Sequence, residues 1–467
     1  MGRVARGVKG TPEEDLVCPL EFRYGPAKVR AIFTRRARLG RWLRVEAALA
    51  QALAEEKVIP EAAAKAIAKA ARPEVVKLER VDELERETRH DVMALSRALA
   101  EQSGEGGRWV HFGATSNDIL DTALGLELHE TTTVLDGYLT ALVEALLRQA
   151  DAHRGTAMVA RTHGQHAVPF TLGYKLVGFA AEFVRHRVRL QEMAPRLAVG
   201  KMSGAVGTGA SFGELAPAIE ERTLGRLGLT PETAPTQIVC RDRMAELTNW
   251  MALVASSADR LATEVRNLQR SELGELGEPF DEATQVGSST MAQKRNPTNA
   301  ENVSSLARLV RALAGPPLEN MVQWHERDLA NSANERIVLP HDVLLLSEML
   351  ERLTRIVEGL RVDVGRMREN LESSGGAVMA EALLLALTDR GVARAESHEM
   401  VRQLTRALPH GDSRALLVRA RGSPEVSSRF SKEELERLLD PEAYVRASER
   451  KTTRVLAQIR KDLGRPK

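Results

Sequence analysis

Leu139-Thr140-Ala141-Leu142-Val143-Glu144-Ala145-Leu146-Leu147 lies inside Asp118–Arg154, the stretch whose period settles the fold class. Leu142, Val143, Ala145, Leu146 and Leu147 spread over a broad arc of a 3.6-residue turn, so a helix here must contact more than one neighbour. The same period recurs at Thr171–Leu197, Arg241–Glu272, Asn299–Ala314 and Pro340–Leu371. A shorter run, Leu39–Lys57, sets Leu43, Val45, Ala47, Leu49 and Leu53 on overlapping faces and Glu46, Gln51 and Glu55 elsewhere. Strand-like alternation is nearly absent. Several runs exceed the ~8–20 residues of ordinary globular helices, which predicts an all-α chain built on a bundle of long helices. Aromatics are only 4% of the chain, so Leu, Val and Ala do the packing. Small side chains let helices approach closely, as a multi-helix bundle or an oligomer core requires, and a homo-oligomer is expected on that ground.

Helix-breaking clusters at Gly104–Gly107, Pro195–Gly213, Glu278–Val286, Gly315-Pro316-Pro317 and Ser373-Ser374-Gly375-Gly376 suggest three helical domains. These are an N-terminal region over 1–115, a central long-helix bundle over 116–365 and a C-terminal domain over 366–467. Gly204-Ala205-Val206-Gly207-Thr208-Gly209 has the wrong spacing for a dinucleotide fingerprint and no strand before it, so it reads as a connection between helices.

Bulk properties narrow the class. A chain of 467 residues can bury large cores. Its 43% hydrophobic and 28% charged residues are those of an ordinary soluble protein. A net charge of +2 gives no reason to expect nucleic acid as a partner. Arg outnumbers Lys about fourfold, which suits carboxylate and phosphate contacts but also follows from a GC-rich or thermophilic background. Cys18 and Cys240 are the only cysteines, too few for a disulfide framework or an ordinary zinc site, and they fit a reducing cytoplasm. Met1–Asp15 lacks the apolar core of a secretory signal, Gly2 is not followed by Ser or Thr at position 6, and no apolar run reaches ~18 residues. A cytoplasmic protein with no membrane span is expected.

The chemistry-bearing stretch is Gly287-Ser288-Ser289-Thr290-Met291-Ala292-Gln293-Lys294-Arg295-Asn296-Pro297. Gly287 and the serines make a loop that orders at little cost, and Lys294, Arg295 and Asn296 add charge and donors without an acid. Pro297 can occupy the first turn of the next helix, where N–H groups favour an anion. Two readings stand on these residues alone: a mobile loop that closes over a carboxylate-bearing substrate, or a solvated turn between helices. Four further blocks lie far away. They are Arg89-His90-Asp91; His111-Phe112-Gly113-Ala114-Thr115-Ser116-Asn117-Asp118; Arg161-Thr162-His163-Gly164-Gln165-His166; and Trp324 to Arg336, which contains Arg327, Ser332 and Arg336. In the second, Asn117 or Ser116 is a candidate N-cap of the long helix. Each block alone also reads as a helix cap or a surface ion pair.

Taken together, the loop and blocks resemble the fumarase/aspartase superfamily, whose members eliminate fumarate from substituted succinates. The loop is similar to that superfamily's Gly-Ser-Ser-x-Met-x-x-Lys-x-Asn-Pro motif. The early Arg23-Tyr24 pair and the Trp-His-Glu-Arg-Asp string from Trp324 resemble the adenylosuccinate lyase family within it, over roughly Arg23–Arg336. The resemblance implies a homotetramer with a twenty-helix core, active sites shared between three subunits, and no metal or organic cofactor. It implies Ser288 as base, His163 as acid, Glu301 as its orienting carboxylate, and Lys294 and Asn296 as stabilisers of developing charge. Arg23, Tyr24, Arg89, His90, Asp91, Thr115, Ser116, Gln237, Ser289, Arg295, Arg327, Ser332 and Arg336 are implied to bind substrate. His90 is then a substrate ligand rather than the acid, and His111 and His166 are structural or supporting. The implied substrates are adenylosuccinate and succinylaminoimidazole carboxamide ribotide. The superfamily usually has Pro where this chain has Ala292, and its adenylosuccinate lyase branch often has His where this chain has Gln293. Losing that proline frees the open loop by an amount on the order of 0.4–1 kcal/mol. Those two positions leave room for another superfamily substrate, such as a carboxymuconate or a different amino-succinate. A non-catalytic protein on the same fold is the remaining alternative.

Overall fold

The computed structural model describes residues 16–463; the basic N-terminal stretch Met1–Asp15 and the site of Gly2 lie outside them. Five long helices run over Ser116–Ala152, Leu172–Leu197, Asp242–Leu268, Thr298–Leu313 and Ser332–Glu358. At about 1.5 Å per residue, the first, with its 37 residues, is roughly 55 Å long. Four of the five match the predicted runs within a few residues. The fifth differs: the pattern over Pro340–Leu371 is not one helix. It starts earlier, at Ser332, and breaks after Glu358, where Arg361–Val362 pairs antiparallel with Leu276–Gly277 before a helix resumes at Val364. Asp363 caps that last helix, its carboxylate accepting the Arg366 N–H at 2.8 Å.

The chain forms two compact units, and all five long helices contribute to both. One unit gathers residues up to Leu139 with His186–Ser256 and Ser305–Leu350. Its core is aliphatic. Leu39, Leu43, Leu49 and Leu53 from the helix Arg35–Glu55 meet Ile67, Leu95, Leu99 and Ile119. The helix starts at Thr34, whose hydroxyl takes the Ala37 N–H at 3.2 Å. It packs on the alanine-rich helix Glu61–Ala70, where Ala63, Ala64 and Ala70 are buried.

The other unit gathers Thr140–Arg185, Ser257–Ser304 and the chain from Glu351 on. It holds a hairpin of Ala157–Thr162 against Gln165–Thr171, with a bulge between Val159 and Arg161. Val159 packs with Leu371, Val378 and Met379. The final helix Glu442–Asp462 covers the second strand, and Ser448 Oγ accepts the Thr171 N–H at 3.1 Å. A separate cluster of Leu383, Leu387, Leu416, Val426, Phe430 and Leu435 holds the C-terminal helices together.

Among the described residues, no single helix is long and apolar enough to cross a membrane. Cys18 and Cys240 are free thiols.

Candidate active site

Apart from Ser289 and Arg295, the predicted binding residues collect in the first unit. Thr88 ends the helix Leu78–Thr88, and Arg89 turns the chain through the left-handed region at φ 53°. That turn brings His90 to the N-cap of the helix Asp91–Gln102, where its Nδ1 accepts the Met93 N–H at 3.3 Å. His90 Nε2 then faces Ser116 Oγ at 3.4 Å. Asp91 accepts the Val92 N–H at 2.8 Å and meets the Arg336 guanidinium at 3.3 Å. Three blocks that are distant in sequence are thus joined side chain to side chain.

Ser116 is already the first helical residue, so neither Ser116 nor Asn117 is the N-cap. Asp118, three residues past Thr115, reaches back and takes the Thr115 N–H at 2.8 Å. This is the return half of a capping box, with Asp in place of Glu. Its other oxygen takes Lys201 Nζ at 2.5 Å and the Ser203 N–H at 3.1 Å. Asp118 and Lys201 are both fully buried, and together they tie the Thr115–Ser116 corner to the glycine-rich connection. The single N–H of Gly204 is shared between the two Asp118 oxygens, at 3.3 and 3.1 Å, with its backbone at φ +74°. The segment read as a plain connection is therefore one wall of this corner. The missed signal was Lys201 itself, a lone cation within the apolar run Leu197-Ala198-Val199-Gly200-Lys201-Met202.

A second buried network lies along the same helix. Arg241 makes a bidentate pair with Asp121 at 2.9 and 3.0 Å and a third bond to Glu335 at 2.8 Å. Burial alone would weaken the Arg241 charge, but Asp121 and Glu335 outweigh it and raise its pKa. Arg327, Ser332, Arg336 and Asp91 line a cavity of about 320 Å³ with Arg241. Burial pulls the Arg327 guanidinium below its usual range, opposed by Asp121, and its buried NH1 has no hydrogen-bond partner. An Arg donor left open in a cavity suits an anionic group. The Gln237 N–H donates to the Glu326 carbonyl at 3.3 Å, which brings Gln237 beside the Arg327 segment. Arg23 sits over the Tyr24 ring at 5.8 Å, just before Gly25. Gly25 has φ +85° and Leu344 2.8 Å from where a Cβ would stand, so only glycine fits that turn.

The predicted catalytic residues belong to the second unit. His163 and Gly164 form the two-residue turn of the hairpin, at φ 54° and 76°. Positive φ at both positions is the geometry whose twist matches paired strands. His163 is exposed at the tip. Beside it, Arg161 makes a bidentate pair with fully buried Glu275 at 2.7 and 2.9 Å, and Asn370 holds Glu275 at 2.8 Å. Burial, then Arg161, lowers the His166 pKa, which favours its neutral form.

In the Gly287–Pro297 loop, Ser288 Oγ accepts the N–H of Thr290 at 3.3 Å and of Met291 at 3.1 Å. Donors aimed at a hydroxyl oxygen stabilise negative charge on it. Asn296 Nδ2 donates to the Gly287 carbonyl at 2.9 Å, so one of its two donors closes the loop. A Cβ on Gly287 would stand 2.0 Å from the Lys294 carbonyl oxygen, and only glycine permits that approach. Arg295 pairs with Glu282 at 2.8 Å. Pro297 lies just before the helix Thr298–Leu313, and its carbonyl accepts the Glu301 N–H at 2.9 Å. The anion at that helix start is not a substrate: buried Glu278 takes the N–H groups of Asn299 and Ala300. Lys294, Arg295, Asn296 and Glu301 line a cavity of about 570 Å³ with Arg266 and Arg270. Ser289 is exposed on the same loop. Among the described residues, no hydrogen bond joins His163 to Glu301, Ser288 or Lys294, and no group of His, Cys, Asp and Glu side chains is arranged to hold a metal.

Comparison with known proteins gives this arrangement its class. Residues 22–312 match the sequence model of the family described as "Lyase", which marks the chain as a lyase. Residues 376–455 match the one described as "Adenylosuccinate lyase C-terminus". The adenylosuccinate lyase of Pyrococcus horikoshii is 46% identical over 92% of this chain and 95% of that protein. The chain belongs to the adenylosuccinate lyase family. Among solved structures, a fumarate lyase from Mesorhizobium sp. BNC1 aligns with TM-score 0.84 at 32% identity, covering 93% of this chain and 98% of that one. The 3-carboxy-cis,cis-muconate lactonizing enzyme of Pseudomonas putida aligns with TM-score 0.83 at 34% identity, covering 94% and 98%.

Proposed function

We propose that this chain is a carbon–nitrogen lyase that releases fumarate from adenylosuccinate, leaving AMP, and from succinylaminoimidazole carboxamide ribotide in purine biosynthesis. Among the geometric features, the reading is carried by Ser288 Oγ, which receives two backbone N–H groups on a loop that also holds Lys294.

The reaction removes a proton beside a carboxylate, placing a second negative charge on that carboxyl group. Fixed donors and a cation are needed where the charge develops. Ser288 takes the proton as an alkoxide, stabilised by the Thr290 and Met291 N–H groups and by Lys294. The free donor of Asn296 and Lys294 receive the developing charge. His163 protonates the departing nitrogen as the general acid. Glu301 orients it. Arg23 and Tyr24 hold the phosphate, and Arg89, His90, Asp91, Thr115, Ser116, Gln237, Ser289, Arg295, Arg327, Ser332 and Arg336 hold the rest of the substrate. No metal or organic cofactor takes part.

The working form is a homotetramer in the cytoplasm, its long helices forming a twenty-helix core. Each site draws on three subunits, so His163 and Ser288 come from different chains. The absence of a hydrogen bond between them within one chain fits that arrangement.

A cycloisomerase reading has Ala292-Gln293 and the likeness to the Pseudomonas putida enzyme in its favour. The 46% identity to an adenylosuccinate lyase outweighs the 34% to that enzyme. Incubation with adenylosuccinate, argininosuccinate and a carboxymuconate, followed by ultraviolet absorbance, separates the readings. Fumarate is expected from the first alone.

A further inference from the structure

The Ser288 loop leaves the fold at Glu278 and rejoins it at Thr298. Both crossing points are fixed by two residues that carry no reaction chemistry. Glu278 is 1% exposed. Its carboxylate accepts the Asn299 N–H at 3.1 Å, the Asn299 Nδ2–H at 3.1 Å and the Ala300 N–H at 3.0 Å. Its own N–H donates to Gln269 Oε1 at 2.9 Å, and its carbonyl accepts from Arg361 at 3.2 Å. Gln269, just past the helix Asp242–Leu268, also donates from Nε2 to the Arg295 carbonyl at 3.0 Å. One amide thus grips the incoming strand and the outgoing strand of the loop together.

Between these points the loop is self-contained. Among the described residues, the hydrogen bonds and ion pairs of 280–294 all end within 281–296. Asp281 binds Ala283 and Thr284, Glu282 binds Arg295, Ser288 binds Thr290 and Met291, and Gly287 binds Asn296. A segment tied internally, and to the body only at its base, moves as one piece.

We infer that Glu278 and Gln269 are positioning residues for the reaction: they form a fixed neck about which the loop turns as a unit, so that Ser288 and Lys294 arrive together. The inference rests on the proposed role of Ser288. An ionised carboxylate only accepts, which suits three converging donors, whereas a glutamine there would point its own NH₂ at Asn299 or Ala300.

The test uses Glu278→Gln and Gln269→Ala in the full-length protein. In each folded variant kcat falls, by about tenfold or more for Glu278→Gln, with KM within about threefold. Trypsin cleavage after Lys294 and Arg295, followed by mass spectrometry, becomes faster in both. Gln269→Ala leaves the helix start capped, so it decides the matter if Glu278→Gln does not fold. Unchanged kcat in the folded variants overturns the positioning role, and unchanged cleavage overturns the neck. A wild-type protein that releases no fumarate would instead refute the proposed function, and the cleavage measurement would still decide the neck.

Discussion

Ser288 owes its proposed basicity to its neighbours: a hydroxyl becomes a base only where its anion is met by donors, and here two backbone N–H groups meet it. Ser288→Ala should therefore lower kcat by about 10²–10⁴-fold while the folded protein keeps its stability, as fumarate release and thermal unfolding would show. The buried charges make separate predictions. Lys201→Met leaves Asp118 enclosed without its cation and should cost about 3–5 kcal/mol in denaturant unfolding. Asp342 is fully buried with both oxygens unpartnered, and burial pushes its carboxyl well above the usual carboxylate range. A group whose pKa is raised on folding stabilises most below its unfolded value, near about 4. That contribution is lost as pH rises through the folded value. Asp342→Asn should accordingly be more stable than wild type at pH 8, by about 1–3 kcal/mol, and the gap should close on acidification. A gap that does not change with pH would contradict the assignment.

The long helices were legible because a 3.6-residue period survives any uncertainty about what packs on it. The hairpin bearing His163 was not. Its tip Arg161–His166 is polar, its strands carry short apolar runs at Met158–Ala160 and Ala167–Phe170 rather than a clean alternation, and the turn depends on positive φ at a histidine, which residue type alone does not announce. Pro340 misled in another way: it reads as a helix start, yet it sits inside Ser332–Glu358. The break near Gly359 went unseen because strand pairing with Leu276–Gly277 is a tertiary fact. Glu278 was hidden for the same reason, since its partners lie across the loop. The loop's own motif was readable, but its anion site was misread, because the free N–H groups were already taken. Gly287 tests the loop as an element. With the Lys294 carbonyl so close, Gly287→Ala should lower kcat about tenfold or more without moving the unfolding temperature, since the loop is surface backbone.

Most of the proposed substrate-binding residues lie in one unit, and the residues of proton transfer lie in the other together with Ser289 and Arg295. The proposed tetramer has a mass of about 205 kDa, four times the 51.3 kDa chain, which light scattering can check. The proposed sharing of sites between subunits makes a sharper prediction. Ser288→Ala and His163→Ala chains, each inactive alone, should regain part of the activity when refolded together, because some mixed sites then hold both intact residues. The most direct test remains the reaction itself. Purified protein incubated with adenylosuccinate should release fumarate and AMP in equal amounts, and Ser288→Ala should release neither at a comparable rate. No fumarate from the wild type, or undiminished release by Ser288→Ala, would contradict the proposed chemistry.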